Sequence, residues 1–168
     1  MEPLEQSALA LKAMLDRKQI SAVEVMQATL ARIDAVNGSV NSVVSLRDHD
    51  ALIAEAAQAD ATPRRGPLHG LPMAIKDLAD AKGLPTSMGS PIYAGQVATS
   101  DALMVARLRA AGAIIIGKTN TPEFGLGSHT FNPVHGVTRN PYDLSRSAGG
   151  SSGGAAVALS TRMLALAD

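Results

Sequence analysis

Apolar residues recur at helical spacing through the first third of the chain. Leu9, Leu11, Met14 and Leu15 predict a helix over residues 7–18. Ser21 opens a second helix, because Glu24 stands three residues on and Ser21-Ala-Val-Glu24 fits a capping box. Val25, Met26, Thr29, Ile33 and Val36 share one broad face, and Asn37-Gly38 predicts a left-handed end. The pattern then shortens. Residues 40–46 read as a strand, 50–61 as an Ala-rich helix, and 62–67 as a Pro- and Gly-containing loop. Residues 71–75 predict a second strand with Lys76 and Asp77 at its end. A helix over 101–111 stops at Gly112, and Ala113 with three isoleucines predicts a strand over 113–116. Helix followed at once by strand points to an α/β layer architecture. Residues 120–154 are rich in Gly, Asn, Pro, Ser and Thr, an irregular stretch of a length that a compact domain keeps for function. Residues 155–166 predict a buried helix.

Composition narrows the function classes. The 168 residues are 46% apolar, enough for a folded domain with its own core. With no Trp, two Phe and two Tyr, that core must be built from Ala, Leu, Ile, Val and Met. Fifteen basic and fifteen acidic residues cancel, which removes the electrostatic reason to bind nucleic acid directly or an anionic membrane. The absence of Cys excludes disulfides, thiolate metal sites and a cysteine nucleophile. The N-terminus has neither a basic region nor an apolar signal core, and no apolar run approaches a membrane span, so a cytoplasmic location is expected.

Three patterns suggest chemistry. Residues 112–119 match the phosphate-loop expression GxxxxGK[ST], but their middle, AIII, belongs to a strand, whose N–H groups go to neighbouring strands and not to a nucleotide. The four histidines, His49, His69, His129 and His135, lack helical metal-ligand spacing, and only His129 and His135 flank a loop that lets them approach; no metal site is expected. The third pattern is GGSSGG at residues 149–154. A flexible linker has the same composition, yet this loop opens an apolar helix, so its N–H groups converge on one spot suited to developing negative charge. Lys76 belongs beside it in the argument. Its ordinary reading is a surface lysine paired with Asp77, but a desolvated lysine loses its charge more easily and serves as a base, and Ser–Lys pairs replace Ser–His–Asp in some hydrolases.

Residues 66–77 (GPLHGLPMAIKD) resemble the lysine segment of the amidase signature family. GKTNTPEF at 117–124, NPYD at 140–143 and GGSSGG at 149–154 resemble its next blocks, in the same order and spacing. The resemblance is dense from about residue 66 to 168. It implies an α/β fold with a mixed sheet flanked by helices, and hydrolysis of a small carboxylic amide by a Ser–Ser–Lys triad without metal or cofactor. Lys76 matches the catalytic lysine, and Ser151 the bridging serine, which the family holds after a cis Gly–Ser peptide. Ser152 is expected to support the loop, and Gly125 to lie where relatives contact substrate.

The family's nucleophilic serine follows the bridging serine by roughly two dozen residues, in a GxGGS-type turn that also supplies the oxyanion hole. That position would lie past Asp168. The resemblance therefore implies the N-terminal part of one longer amidase domain, with residues 1–61 as N-terminal helices and a strand, and 62–168 as the start of the catalytic core. Two alternatives stand beside amide hydrolysis: the glutamine-dependent subunit that transamidates mischarged tRNA, and a non-catalytic remnant of the fold. A sheet cut in mid-fold would expose an edge and an apolar face, so a homo-oligomer or poor solubility is expected of the isolated chain.

Overall fold

The computed structural model describes residues 2–168. Two N-terminal helices, α1 (Ala8–Asp16) and α2 (Ala22–Val40), lead into β1 (Val43–Leu46). Both helix starts follow from the sequence: Ser7 accepts from the Ala10 N–H, and the Ser21–Glu24 capping box is closed in both directions. The end of α2 does not follow the expectation. The helix runs through Asn37-Gly38, and Asn41, with φ 53°, provides the left-handed cap. The reason lies in the Asn37 side chain. It donates to the Val43 carbonyl at 2.8 Å and accepts from the Ser42 and Val43 N–H groups, so it ties the turn into β1 instead of breaking the helix.

Next come α3 (His49–Ala61), capped by Asp48, and then β2 (Pro72–Lys76), α4 (Leu103–Ala110) and β3 (Ile114–Thr119). The three strands form one mixed sheet in the order β1-β3-β2. β3 pairs antiparallel to β1 and parallel to β2. Beyond β2, Ala167 makes a further parallel bridge to Ala74. β3 is longer than its apolar run predicted, since it continues through Gly117, Lys118 and Thr119. Those residues pair on both sides, Gly117 with Leu46 and Ala74, Lys118 with Ser45 and Ile75, so the phosphate-loop expression is a central strand.

The pleat divides the core between the two faces of the sheet. Ala74, Ile114 and Ile116 pack against Met26, Leu30 and Ile33 of α2, Leu52 and Ala56 of α3, and Val157 and Ala158 of the last helix. Met73, Ile75 and Ile115 pack on the other face with Ala81, Leu84 and Val105 of α4. Apolar residues in succession are what a strand covered on both faces requires. Each fully buried Ile or Leu contributes about 1.5–3 kcal/mol, so the isoleucine run is a large part of what this aromatic-poor core has.

Residues 120–152 are less irregular than their composition suggested. They carry two short hairpins, β4 (Phe131–Asn132) with β5 (Gly136–Val137), and β6 (Arg139–Asn140) with β7 (Asp143–Ser147). The last helix, α5 (Gly153–Ser160), is shorter than expected. It ends at Thr161, and Arg162, with φ 58°, turns the chain so that Met163 and Leu164 return to the core. No helix of the described residues is long and apolar enough to cross a membrane.

Candidate active site

Lys76 stands at the last position of β2, where the sheet stops and the chain turns back. Its amide donates to the Asp168 carboxylate at 2.5 Å. Its carbonyl accepts from Leu78 and Ala79 at 2.7 and 3.1 Å. From this fixed backbone the side chain reaches the Gly–Ser loop. Nζ lies 2.8 Å from the Ser151 Oγ and 3.0 Å from the Ser152 Oγ. The Gly150–Ser151 peptide is cis. Desolvation pushes the Lys76 amine below its ordinary range, and the nearby Asp168 charge offsets only part of that. A lysine with a depressed pKa spends more time as the free amine, whose lone pair accepts a hydroxyl proton.

The loop that presents Ser151 is held from several sides. Gly150 donates to the Ser128 carbonyl at 2.8 Å, and the Thr130 hydroxyl to the Gly149 carbonyl at 3.0 Å. Gly154 then brings the start of α5 against the end of the sheet. A methyl group there would sit 2.6 Å from the Asn120 carbonyl oxygen and 2.9 Å from that of Ser42. Only glycine permits this approach, which seats the helix and the serines in front of it. Ser152 is the N-cap of α5, but its side chain accepts no capping bond and points to Lys76.

Gly125 ends a short helical turn with φ 71°, and its N–H donates to the Pro122 carbonyl at 2.8 Å. It packs on Leu78: a methyl group at Gly125 would stand 2.7 Å from Leu78 Cδ1. It therefore adjoins the turn after Lys76. The histidines go to separate partners. His129 meets Ser128, His69 meets the Ala59 carbonyl, and His135 meets Ser87 and Asp77. Among the described residues, no cluster of three or more His, Asp or Glu is placed to hold a metal ion.

Sequence reasoning missed the partners of Asp77. It does not pair with Lys76. Its carboxylate is buried among Ser87, His135 and Lys118. Burial pushes this carboxyl up, but the bonds from His135 and Ser87 and the Lys118 charge outweigh that and hold it below its ordinary range. Lys118 is wholly enclosed, and desolvation lowers its pKa in spite of the attraction of Asp77. One signal was available in the sequence. A lysine that continues a fully apolar central strand needs a buried counter-charge.

Comparison with known proteins identifies the family. The family model "Amidase" matches residues 24–167. The glutamyl-tRNA(Gln) amidotransferase A subunit of Acidothermus cellulolyticus is 44% identical over 160 residues, covering 93% of this chain and 32% of the relative. An acylamidase of Rhodococcus erythropolis is 43% identical over 166 residues, covering 96% and 35%. The solved 6-aminohexanoate cyclic dimer hydrolase superposes with a TM-score of 0.86 at 35% identity, over 98% of this chain and 33% of its own. The chain thus spans about a third of the length of the curated relatives it matches. With a family match over most of its length, and the lysine and serine blocks meeting in space, the chain belongs to the amidase family.

Proposed function

We propose that this chain supplies the base and the proton relay for hydrolysis of a carboxylic amide to an acid and an amine or ammonia. The observation that carries the reading is the 2.8 Å contact between the Lys76 Nζ and the Ser151 Oγ, made by an amine whose pKa burial lowers. In this mechanism a serine outside residues 1–168 attacks the amide carbonyl. Ser151 takes the proton of that serine and passes its own to neutral Lys76. The relay then runs back. Lys76 returns a proton through Ser151 to the leaving nitrogen, and water later releases the acyl group from the serine. Ser152, on the same amine, holds the Nζ between two hydroxyls, and Gly125 gives substrate a close approach beside Leu78. The residues involved require neither metal nor cofactor.

The experiment is direct. The 168-residue chain is expected to show no turnover of simple amides. Continued into the serine-bearing segment, it is expected to turn over, and Lys76→Ala or Ser151→Ala should cost about 10²–10⁴-fold in kcat. Enzyme-like turnover by the short chain, lost on Lys76→Ala, would overturn the assignment of the nucleophile. Turnover of the longer protein that survives both substitutions would overturn the relay. The near-equal likeness to amidotransferase A subunits favours one further reading, in which glutamine is the amide donor and partner chains hold the tRNA. Glutamine-dependent ammonia release that appears only with such partners would favour it over simple hydrolysis.

A further inference from the structure

The turn that follows Lys76 is gripped from beneath by four charged or polar side chains that the relay does not use. Asp77 Oδ1 accepts from the Ser87 N–H at 3.1 Å and lies 3.6 Å from the Lys118 Nζ. Asp77 Oδ2 accepts from the Ser87 hydroxyl at 2.5 Å and lies 3.3 Å from the His135 Nε2. Lys118 also donates to the Ala79 carbonyl at 2.5 Å. The group joins four segments: the turn after β2, the turn at Ser87, strand β3 and the loop before β5. Aspartate, serine and histidine together suggest a hydrolytic triad, but this one is not. Ser87 is only 2% exposed, and its hydroxyl donates directly to the carboxylate at 2.5 Å while lying 3.1 Å from the His135 Nε2, so the imidazole does not stand between serine and aspartate.

The connection to Lys76 runs through the backbone. The Lys76 carbonyl is bound by the N–H groups of Leu78 and Ala79, and Lys118 grips the same turn at the Ala79 carbonyl. Asp77 fixes its middle. A lysine amine rides on a four-carbon flexible stem, so it can keep 2.8 and 3.0 Å contacts with two serines only from a fixed base. The Asp168 charge already acts on that amine, and the carboxylate next in sequence, Asp77, would be a second competitor for it. Here Asp77 is fully engaged elsewhere.

We propose that Asp77, Ser87, His135 and Lys118 form a positioning device for Lys76, which locks the turn that carries it and keeps the adjacent carboxylate away from its amine. The inference rests on Lys76 being the functional amine. These four are positioning residues, since none of them touches the amine or Ser151.

The test reads Lys76 itself, in the 168-residue chain, without any need for turnover. Peptide-resolved modification by an amine-reactive reagent is followed against pH in Ser87→Ala and Lys118→Met. Each substitution frees Asp77 from a partner. Lys76 modification near neutral pH should fall several-fold, and its pH profile should move upward as the released carboxylate pairs with the amine. Val25→Ala, a buried change in the α1–α2 packing, provides a comparable loss of thermal stability and should leave the Lys76 profile in place. Unchanged profiles in both cluster variants would overturn the proposal, as would an equal shift in Val25→Ala. If Lys118→Met fails to fold, Ser87→Ala alone carries the test, since it removes one hydroxyl and no charge. Ser151→Ala probes the relay separately. An unmoved Lys76 profile there counts against the relay and not against the cluster.

Discussion

Substituting glycine by alanine at two positions should change stability in opposite directions. Gly154 sits at the start of α5 against the end of the β1–β3 pair. A Cβ there meets the Asn120 oxygen at 2.6 Å and the Ser42 oxygen at 2.9 Å, where ordinary contact begins at 3.4 Å. Both neighbours are backbone, and the Asn120 N–H is itself bonded to the Ser42 carbonyl at 2.9 Å, so neither can yield alone. Helix α5 must retreat instead. That stretches the Gly154 N–H to Asn120 bond, now 3.2 Å, and the Ser42 hydroxyl to Gly154 carbonyl bond, now 2.6 Å. Overpacking of this kind costs about 1–3 kcal/mol, and two weakened hydrogen bonds add about 1 kcal/mol between them. Better helix propensity returns about 0.5–1 kcal/mol. Gly154→Ala should therefore lose about 2 kcal/mol, a fall in Tm of about 4–8 °C for a chain of this size. Gly38 provides the control. It lies inside α2, exposed, with nothing within 4 Å of an added methyl group, so Gly38→Ala should gain about 0.5 kcal/mol. Paired urea and thermal melts check both. A Gly154→Ala chain as stable as the parent would refute the close approach of helix and strand, and a destabilised Gly38→Ala would refute the continuous helix.

Three further outcomes are expected. Ser21→Ala removes the hydroxyl that accepts from the Glu24 N–H at 3.1 Å and should cost about 1 kcal/mol in urea melts, with no change in the Lys76 modification profile. Asn41→Ala loses a residue suited to φ 53° and the side-chain donor to the His135 and Val137 carbonyls at 2.7 and 3.2 Å; a loss of about 2 kcal/mol is expected by the same assay. Asp77 sets part of the acid limb. Its folded pKa lies below the ordinary 3.8, so in that window the unfolded chain binds more protons and stability rises with pH. Its contribution is complete above the unfolded value and is lost as pH falls through the folded one. Asp77→Asn should be less stable at neutral pH, because Lys118 loses its counter-charge, and should lose that part of the acid dependence, which urea midpoints between about pH 5 and about pH 2 would show.

Local signals were legible where short-range chemistry decides them. The Ser21–Glu24 box, the β-branched run before Gly117 and the apolar strand that ends at Lys76 each carry their cause within a few residues. Asn37-Gly38 misled because the same residues that end a helix can also tie a turn. Asn37 uses its amide on Ser42 and Val43, a bond that appears only once β1 is in place. The helix expected over residues 155–166 erred for a related reason. Continuous apolar composition does not distinguish a buried helix from a chain that leaves the helix at Arg162 and returns to the core as Met163 and Leu164.

At the site the division is sharper. The sequence by itself determined that Lys76 ends a strand and that Ser151 and Ser152 lie in a glycine loop, because strand propensity and glycine content are local properties. Only the tertiary structure decided that Lys76 reaches both serines, at 2.8 and 3.0 Å across some 75 residues of sequence, and that Asp77 turns away from it. That choice depends on Lys118, Ser87 and His135, which arrive from three separate segments. A buried carboxylate takes whichever partners the packing brings, and packing is a property of the whole chain.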